Sequence, residues 1–118
     1  MTTNDVYFIT ASGTGAMEAA LVNTISPGDK VLSIIIGVFG ERFAEIADAY
    51  GADVHRLNFE LGKAADLDAV RETIRKNPKI KAIIFTHNET ATLLNVTFPR
   101  KKSRINTLIV ISKKDFLK

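Results

Sequence analysis

The sequence contains no cysteine among its 118 residues. Disulfide bonds and thiolate metal sites are therefore excluded, and a reducing cytoplasm is the compartment that this composition favours. No apolar run approaches the ~20 residues that a membrane-spanning helix needs. The first ten residues lack a basic region followed by an apolar stretch and a small-residue cleavage site, so we predict no signal peptide.

A strong net charge is also lacking, since the formal charge is +3. The charge is uneven: residues 97–118 hold seven Lys or Arg against one acid, Asp115, whereas residues 1–96 are mildly acidic. A basic tail can bind nucleic acid or an anionic membrane. This tail has Phe98 and Phe116 as its only aromatic residues and contains no nucleic-acid-binding motif. We predict a solvated charged end with no membrane partner, and keep nucleic-acid binding as an alternative.

An alternation of strands and helices fills most of the chain. Val31–Ile36 is an apolar run without alternation, which is typical of a strand buried on both faces of a parallel sheet. The pattern predicts further strands at Val6–Thr10, 53–58, 81–86 and Thr107–Ile111, and helices at about 14–25, 41–50 and 66–76. Gly51 and Asn77-Pro78 are placed to end the last two helices. Strands and helices that alternate through short turns predict one α/β domain with a parallel sheet.

Three unusual turns follow strands of this predicted sheet: Ser12–Gly15, Gly37–Gly40 and His87–Thr92. Ligands of open parallel sheets bind beyond the carboxyl ends of the strands. A glycine-spaced Ser/Thr turn that opens a helix presents backbone N–H groups and hydroxyls, which bind phosphate. Together with Phe39 between two glycines, these turns predict a site for a flat, phosphorylated aromatic ligand.

Each of these features also has a structural interpretation. Gly13-Thr14-Gly15 is compatible with a tight connection between a strand and a helix. Phe39 is compatible with a residue of the hydrophobic core. Glu18 stands where the dinucleotide fingerprint has its third glycine, and no P-loop is present, which argues against NAD and ATP. The two histidines, His55 and His87, lack the spacing of metal ligands, so we predict no metal site. No constellation of catalytic side chains follows from the spacing.

Four segments carry a family resemblance: Ser12–Asn23, Pro27–Leu32, Gly37–Phe43 and Thr86–Thr90. They resemble the class V aminotransferases, above all the alanine–glyoxylate and serine–pyruvate branch, over about residues 6–95. The resemblance implies part of the three-layer large domain of fold type I and pyridoxal phosphate as the cofactor. It implies that the phosphate binds at Ser12, Gly13 and Thr14, that Phe39 stacks on the pyridine ring, and that Thr90 lies close to the ring hydroxyl, with Glu89 and Thr92 in the same segment.

The sequence also departs from the family pattern. Leu93 stands where the family has glycine. Asn106–Ser112 resembles the family strand that ends in the aspartate paired with the pyridine nitrogen, and Ser112 stands at the position of that aspartate. A neutral hydroxyl cannot keep that nitrogen protonated. Lys113, Lys114 and Lys118 match no motif of the lysine that holds the cofactor covalently. We therefore assign no catalytic residue in this chain.

The resemblance divides the chain into a partial cofactor-binding large domain, residues 1–96, and a basic divergent tail, residues 97–118. The full-length relatives transfer an amino group from alanine or serine to glyoxylate or another 2-oxo acid. For this chain we expect a homo-oligomer, namely a dimer. We expect this chain to be inactive by itself, and expect its first strand to lack its usual neighbours and to expose an apolar edge. Two alternatives stay open: a non-catalytic module that pairs with an intact aminotransferase subunit or with itself, and a remnant with no selected function.

Overall fold

The protein is described from a computed structural model, which gives the backbone of residues 7–86, 88–89, 94–95 and 108–112 and the side chains of residues 7–86. The elements of the described residues are α1 (Gly13–Val22), β1 (Lys30–Ile35), α2 (Val38–Ala49), β2 (Asp53–Asn58), α3 (Leu67–Lys76), β3 (Ile80–Thr86), β4 (Asn88–Glu89), β5 (Leu94–Asn95) and β6 (Leu108–Ser112). A four-stranded sheet has the order β2-β1-β3-β6, and β4 and β5 form a separate antiparallel pair.

The predicted parallel α/β sheet is confirmed for its first three strands. β1 lies between β2 and β3 and pairs with both in parallel. Its residues after Lys30 are all buried, as the unbroken apolar run predicts. β2 lies at an edge of the sheet, and its burial is only partial. Charged residues on this strand discourage pairing with a further strand.

Helices cover both faces of the sheet, which gives three layers. α1 and α2 pack on one face, and α3 packs on the other. The first core cluster joins side chains of α1, of the turn that follows it and of α2 to one face of the strands: Met17, Leu21, Ile25, Val31, Phe43, Ala47, Ala82 and Ile84. The second joins α3 to the opposite face: Leu32, Ile34, Val70, Ile74, Ile80, Ile83 and Phe85.

Helix ends follow local signals in the sequence. Asp66 caps α3 by accepting a hydrogen bond from the amide of Asp68 at 2.9 Å. Gly51 follows α2 with a φ of 80°, the left-handed conformation that glycine tolerates at a helix end. The prediction for Gly37–Gly40 needs correction: α2 begins at Val38, so this segment is mostly a first helical turn.

The strand predicted at Val6–Thr10 is wrong for the residues that the structure describes, because residues 7–10 have no strand structure. The edges of the described sheet are β2 and β6, and neither pairs with this segment. A lone strand cannot satisfy its backbone groups with hydrogen bonds to itself. The side chains of Tyr7, Phe8 and Ile9 are consequently 81%, 98% and 60% exposed.

The strand predicted at Thr107–Ile111 is confirmed as β6, but it runs antiparallel to β3. Leu108 lies opposite Thr86, and Ser112 lies opposite Ala82, near the amino end of β3. A parallel strand needs a crossover back along the sheet, usually through a helix. The sequence at 96–104 has no amphipathic helical pattern and therefore predicts no crossover helix. An antiparallel strand needs none, because it can pair starting from the carboxyl end of β3.

Candidate functional site

Two helices begin at the same edge of the sheet. α2 begins three residues after β1 ends, so its N-terminus lies at the carboxyl end of that strand. α1 leads through a short turn into the amino end of β1, so its own N-terminus points towards the carboxyl edge. The two helices pack against each other on one face of the sheet. The segments Ser12–Gly15 and Gly37–Gly40, which the sequence predicts as unusual turns, therefore both lie at this edge.

Ser12 caps the N-terminus of α1. Its Oγ accepts a hydrogen bond from the amide of Gly15 at 3.3 Å, and its carbonyl accepts the first helical bond from Ala16 at 3.1 Å. The amides of Gly13 and Thr14 come before the first intrahelical donor, so they point out of the helix. The first turn carries no acidic residue, and a Cβ on Gly13 would meet nothing within 4 Å. The N-terminus of α1 is therefore open, positively polarised and suited to an anion.

Phe39 lies in the first turn of α2 and is half-buried. The guanidinium carbon of Arg42 lies 5.8 Å from its ring centroid. The neighbouring Gly40 has a packing role, because a Cβ there would lie 3.1 Å from the Cα of Ile35. The close approach that the flanking glycines predict is thus made, at Gly40, by strand β1 rather than by a ligand.

Thr86 ends β3 at this same edge, and the sequence placed it in a family-like segment without predicting a binding role for it. The residue is 8% exposed, and its Oγ1 is the one buried side-chain nitrogen or oxygen atom of residues 7–86 without a hydrogen-bond partner. Buried polar groups normally have partners. The available signal was a hydroxyl residue at the carboxyl end of an otherwise apolar strand.

Most of the remaining predicted positions cannot be compared with the structure. Thr90, Thr92, His87 and the lysines after Ser112 lie outside the described residues. Glu89 has its backbone in β4, which contacts α2. Because β6 is antiparallel, Ser112 lies near the amino end of β3, away from the helix N-termini. It therefore does not occupy the position of an aspartate facing the candidate ligand.

Arg56 and Tyr50 form side-chain contacts with carboxylates on the helices, including Glu41 in the first turn of α2. Arg56 on β2 contacts Asp48 at 2.5 Å and Glu41 at 3.1 Å on α2, and its pKa is raised chiefly by its hydrogen bond to Asp48. Tyr50 donates a hydrogen bond to Glu18, which raises the pKa of the phenol. These contacts join elements of the fold, and a structural role explains them. The part of the chain with described side chains holds no cluster of His, Asp and Glu able to bind a metal.

Known aminotransferases match most of the chain. No protein-family model matches it. An uncharacterised aminotransferase of Methanocaldococcus jannaschii is 50% identical over 92 residues, which is 78% of this chain. Serine–glyoxylate aminotransferase of Methylorubrum extorquens is 41% identical over 93 residues. The crystal structure of alanine–glyoxylate aminotransferase from Nostoc matches 75% of the chain with a TM-score of 0.71 and 32% identity. The chain belongs to the class V aminotransferases.

This class V aminotransferase chain spans about a quarter of the curated relatives that it matches, namely 24% of the Methanocaldococcus protein and 23% of the Methylorubrum protein. It likewise covers 23% of the Nostoc structure. The family resemblance and the fold expected from the sequence are confirmed for this part of an aminotransferase.

The family implies pyridoxal phosphate, and the described residues fit that group. Its phosphate needs an anion site, and α1 offers an N-terminus with no carboxylate in its first turn. The open space at Gly13 leaves room for close approach to the backbone. Its planar ring needs an apolar surface, and Phe39 supplies one on the first turn of the adjacent helix.

No helix of the described residues is both long and apolar enough to cross a membrane.

Proposed function

We propose that this class V aminotransferase chain forms the phosphate-binding part of a pyridoxal phosphate site. The observation that carries the proposal is the first turn of α1, which Ser12 caps and which bears no carboxylate, beside the first turn of α2 with Phe39. Ser12, Gly13 and Thr14 bind the phosphate in this proposal. Phe39 packs on the ring, and Thr90 lies near the ring hydroxyl.

The described residues would act mainly by binding and orientation. The amides of Gly13 and Thr14 donate to the phosphate oxygens, and the Ser12 hydroxyl can donate to them while its oxygen accepts from Gly15. The ring of Phe39 shields one face of the cofactor from water. The cofactor, when bound, supplies an electron-withdrawing ring for chemistry at the substrate carbon.

These 118 residues supply no motif-matched lysine and no aspartate for the pyridine nitrogen. We therefore propose that they bind the cofactor weakly and do not transfer amino groups when they stand alone. In a protein that also supplies those groups, we propose alanine or serine as amino donor and glyoxylate or another 2-oxo acid as acceptor, after the relatives named above. The absence of cysteine favours a cytoplasmic location.

Spectroscopy and mass spectrometry test this proposal. The purified 118-residue chain is titrated with pyridoxal phosphate, followed by absorbance, and then reduced with borohydride. We expect saturable binding that inorganic phosphate competes away, no specific adduct on a lysine, and no turnover of alanine with glyoxylate. A stoichiometric adduct on one lysine, or measurable turnover, would contradict the proposed inactivity.

A second candidate function is pairing with another subunit. The side chains of Tyr7, Phe8 and Ile9 form an exposed apolar segment beside α1, and exposed apolar patches mark contact sites. We propose that this segment supports a dimer. Size-exclusion chromatography with light scattering should show a dimer that Phe8→Asp converts to a monomer. Leu61→Asp, at a residue that is 69% exposed elsewhere on the chain, should leave the dimer intact. A monodisperse wild-type monomer would contradict the pairing.

A further inference from the structure

We propose that Thr86 is a ligand-binding residue of this site, and that its hydroxyl donates a hydrogen bond to an anionic oxygen of the ligand held at the N-terminus of α1. The inference rests on the proposed function and adds a contact from the sheet to those from the helices. It gives the unpartnered hydroxyl of Thr86 a role.

The direction of the Thr86 side chain follows from the alternation along β3. Ala82 and Ile84 belong to the core cluster that packs against α1 and α2. Residues two apart on a strand point to the same face, so the side chain of Thr86 points to that layer as well. Thr86 is also the last residue of β3. Its hydroxyl therefore lies under the edge where α1 and α2 begin.

A comparison with Ser33 shows that the hydroxyl of Thr86 is unusual. Ser33 and Thr86 are the two buried polar residues among those whose side chains are described. The Oγ of Ser33 donates to the carbonyl of Gly40 at 3.5 Å, which satisfies it within the fold. Oγ1 of Thr86 has no such partner. An unsatisfied buried hydroxyl destabilises the ligand-free fold, and a ligand that accepts its hydrogen bond removes that cost.

The chemistry of the partner follows from the surroundings. The amides at the N-terminus of α1 favour a negatively charged group, and no carboxylate of the first turn competes for it. A hydroxyl donor in this position suits an anionic oxygen. In a phosphorylated hydroxypyridine that oxygen belongs either to the phosphate or to the ring hydroxyl in its ionised form. Inorganic phosphate and pyridoxal phosphate, used as separate probes, distinguish the two sources.

The test compares three variants of the 118-residue chain with the wild type: Thr86→Val, Thr86→Ser and Ser33→Ala. Thr86→Val keeps the shape and removes the hydroxyl. It should weaken pyridoxal phosphate binding about tenfold, while the urea midpoint of the ligand-free chain stays the same or rises. Thr86→Ser keeps the hydroxyl and should bind within about threefold of the wild type. Ser33→Ala should lower the urea midpoint and leave binding unchanged.

Each outcome has a defined meaning. An equal loss of affinity for inorganic phosphate places the contact at the phosphate, and a loss confined to pyridoxal phosphate places it at the ring oxygen; both support the inference. If Thr86→Val binds pyridoxal phosphate as tightly as the wild type does, Thr86 has no role in binding. That result overturns the inference and leaves the proposed function standing. If the wild type binds neither probe, the proposed function fails, and the inference fails with it.

Discussion

Asp29 and Lys81 lie 52 residues apart in the chain, and their side chains form an ion pair at 2.5 Å. The same carboxylate oxygen accepts a hydrogen bond from the amide of Ser26 at 2.7 Å. Asp29 thereby joins the turn before β1 to the beginning of β3. The hydrogen bond from Lys81, followed by that from Ser26, holds the pKa of Asp29 below its ordinary value.

The lowered pKa of Asp29 predicts a pH-dependent contribution to stability. The folded chain binds this proton less readily than the unfolded chain, so the stabilisation is complete above the ordinary pKa, about 4. It is lost as the pH falls through the lowered folded value. Asp29→Asn should therefore lower the urea midpoint at pH 7, and the difference from the wild type should shrink below about pH 4. Urea unfolding followed by circular dichroism measures this.

Asp53→Asn is the matched control, because Asp53 forms an ion pair with Lys30 at the same edge but has a more exposed side chain than Asp29. It should lower the urea midpoint at pH 7 by less than Asp29→Asn does. An Asp29→Asn midpoint that keeps the same distance from the wild type down to pH 2 would contradict the assignment.

Gly40→Ala tests the close packing of α2 on β1. The new Cβ would lie 3.1 Å from the Cα of Ile35 and 3.3 Å from the carbonyl oxygen of Ile34, both backbone atoms that cannot rotate away. We expect the free energy of unfolding to fall by about 1–2 kcal/mol, after allowing for the better helix propensity of alanine. Gly13→Ala meets open space and should be neutral or stabilising. Equal unfolding free energies for both variants would show that α2 does not approach β1 this closely.

Ser12→Ala and Asp66→Ala separate helix capping from ligand binding. Each removes the side-chain cap of one helix, and each should cost about 0.5–2 kcal/mol of unfolding free energy. The loss at Ser12 should lie at the low end, because its bond to Gly15 is 3.3 Å long and that of Asp66 to Asp68 is 2.9 Å. Only Ser12→Ala should weaken pyridoxal phosphate binding in the absorbance titration. Equal binding by the two variants would remove Ser12 from the proposed site.

Phe39→Leu tests the ring platform. The leucine keeps an apolar residue in α2 but removes the aromatic face, so we expect pyridoxal phosphate binding to weaken about three- to tenfold. The unfolding free energy should change by less than about 1.5 kcal/mol, which includes the lost contact with Arg42. Phe39→Trp keeps an aromatic face and should bind at least as well as the wild type. Weaker binding by Phe39→Trp than by Phe39→Leu would argue against stacking.

The sequence predicted those elements whose signals are local. The apolar run at Val31–Ile36 predicted the central strand within one residue at each end, and the strand at 53–58 was predicted without error. Gly51 marked the end of α2 because no other residue adopts that backbone conformation as easily. The parallel pairing of β1, β2 and β3 followed from the helices between them, whereas their order in the sheet is known only from the structure.

Features that depend on distant partners escaped prediction. Val6–Thr10 has the composition of a strand, yet residues 7–10 form none, because composition does not supply a neighbouring strand. The direction of β6 depends on how the chain returns to β3, which its five apolar and hydroxyl residues do not encode. The glycine at position 40 resembles a ligand-binding glycine in sequence, and only its distance from Ile35 shows that it serves packing. Thr86 belongs to a segment that resembles the family but was not predicted as a binding residue, because an unsatisfied hydroxyl is a property of its surroundings.

The antiparallel pairing of β6 with β3 has a kinetic consequence. β6 pairs with β3 from Ala82 to Thr86. A strand supplied by another molecule would have to pair with these same residues of β3. Such a polypeptide can enter only after β6 has left, so at high partner concentration the rate of strand exchange should reach a plateau set by the opening of β6. On that plateau, capture of a strand at this position would be independent of partner concentration, even where the final complex is stable.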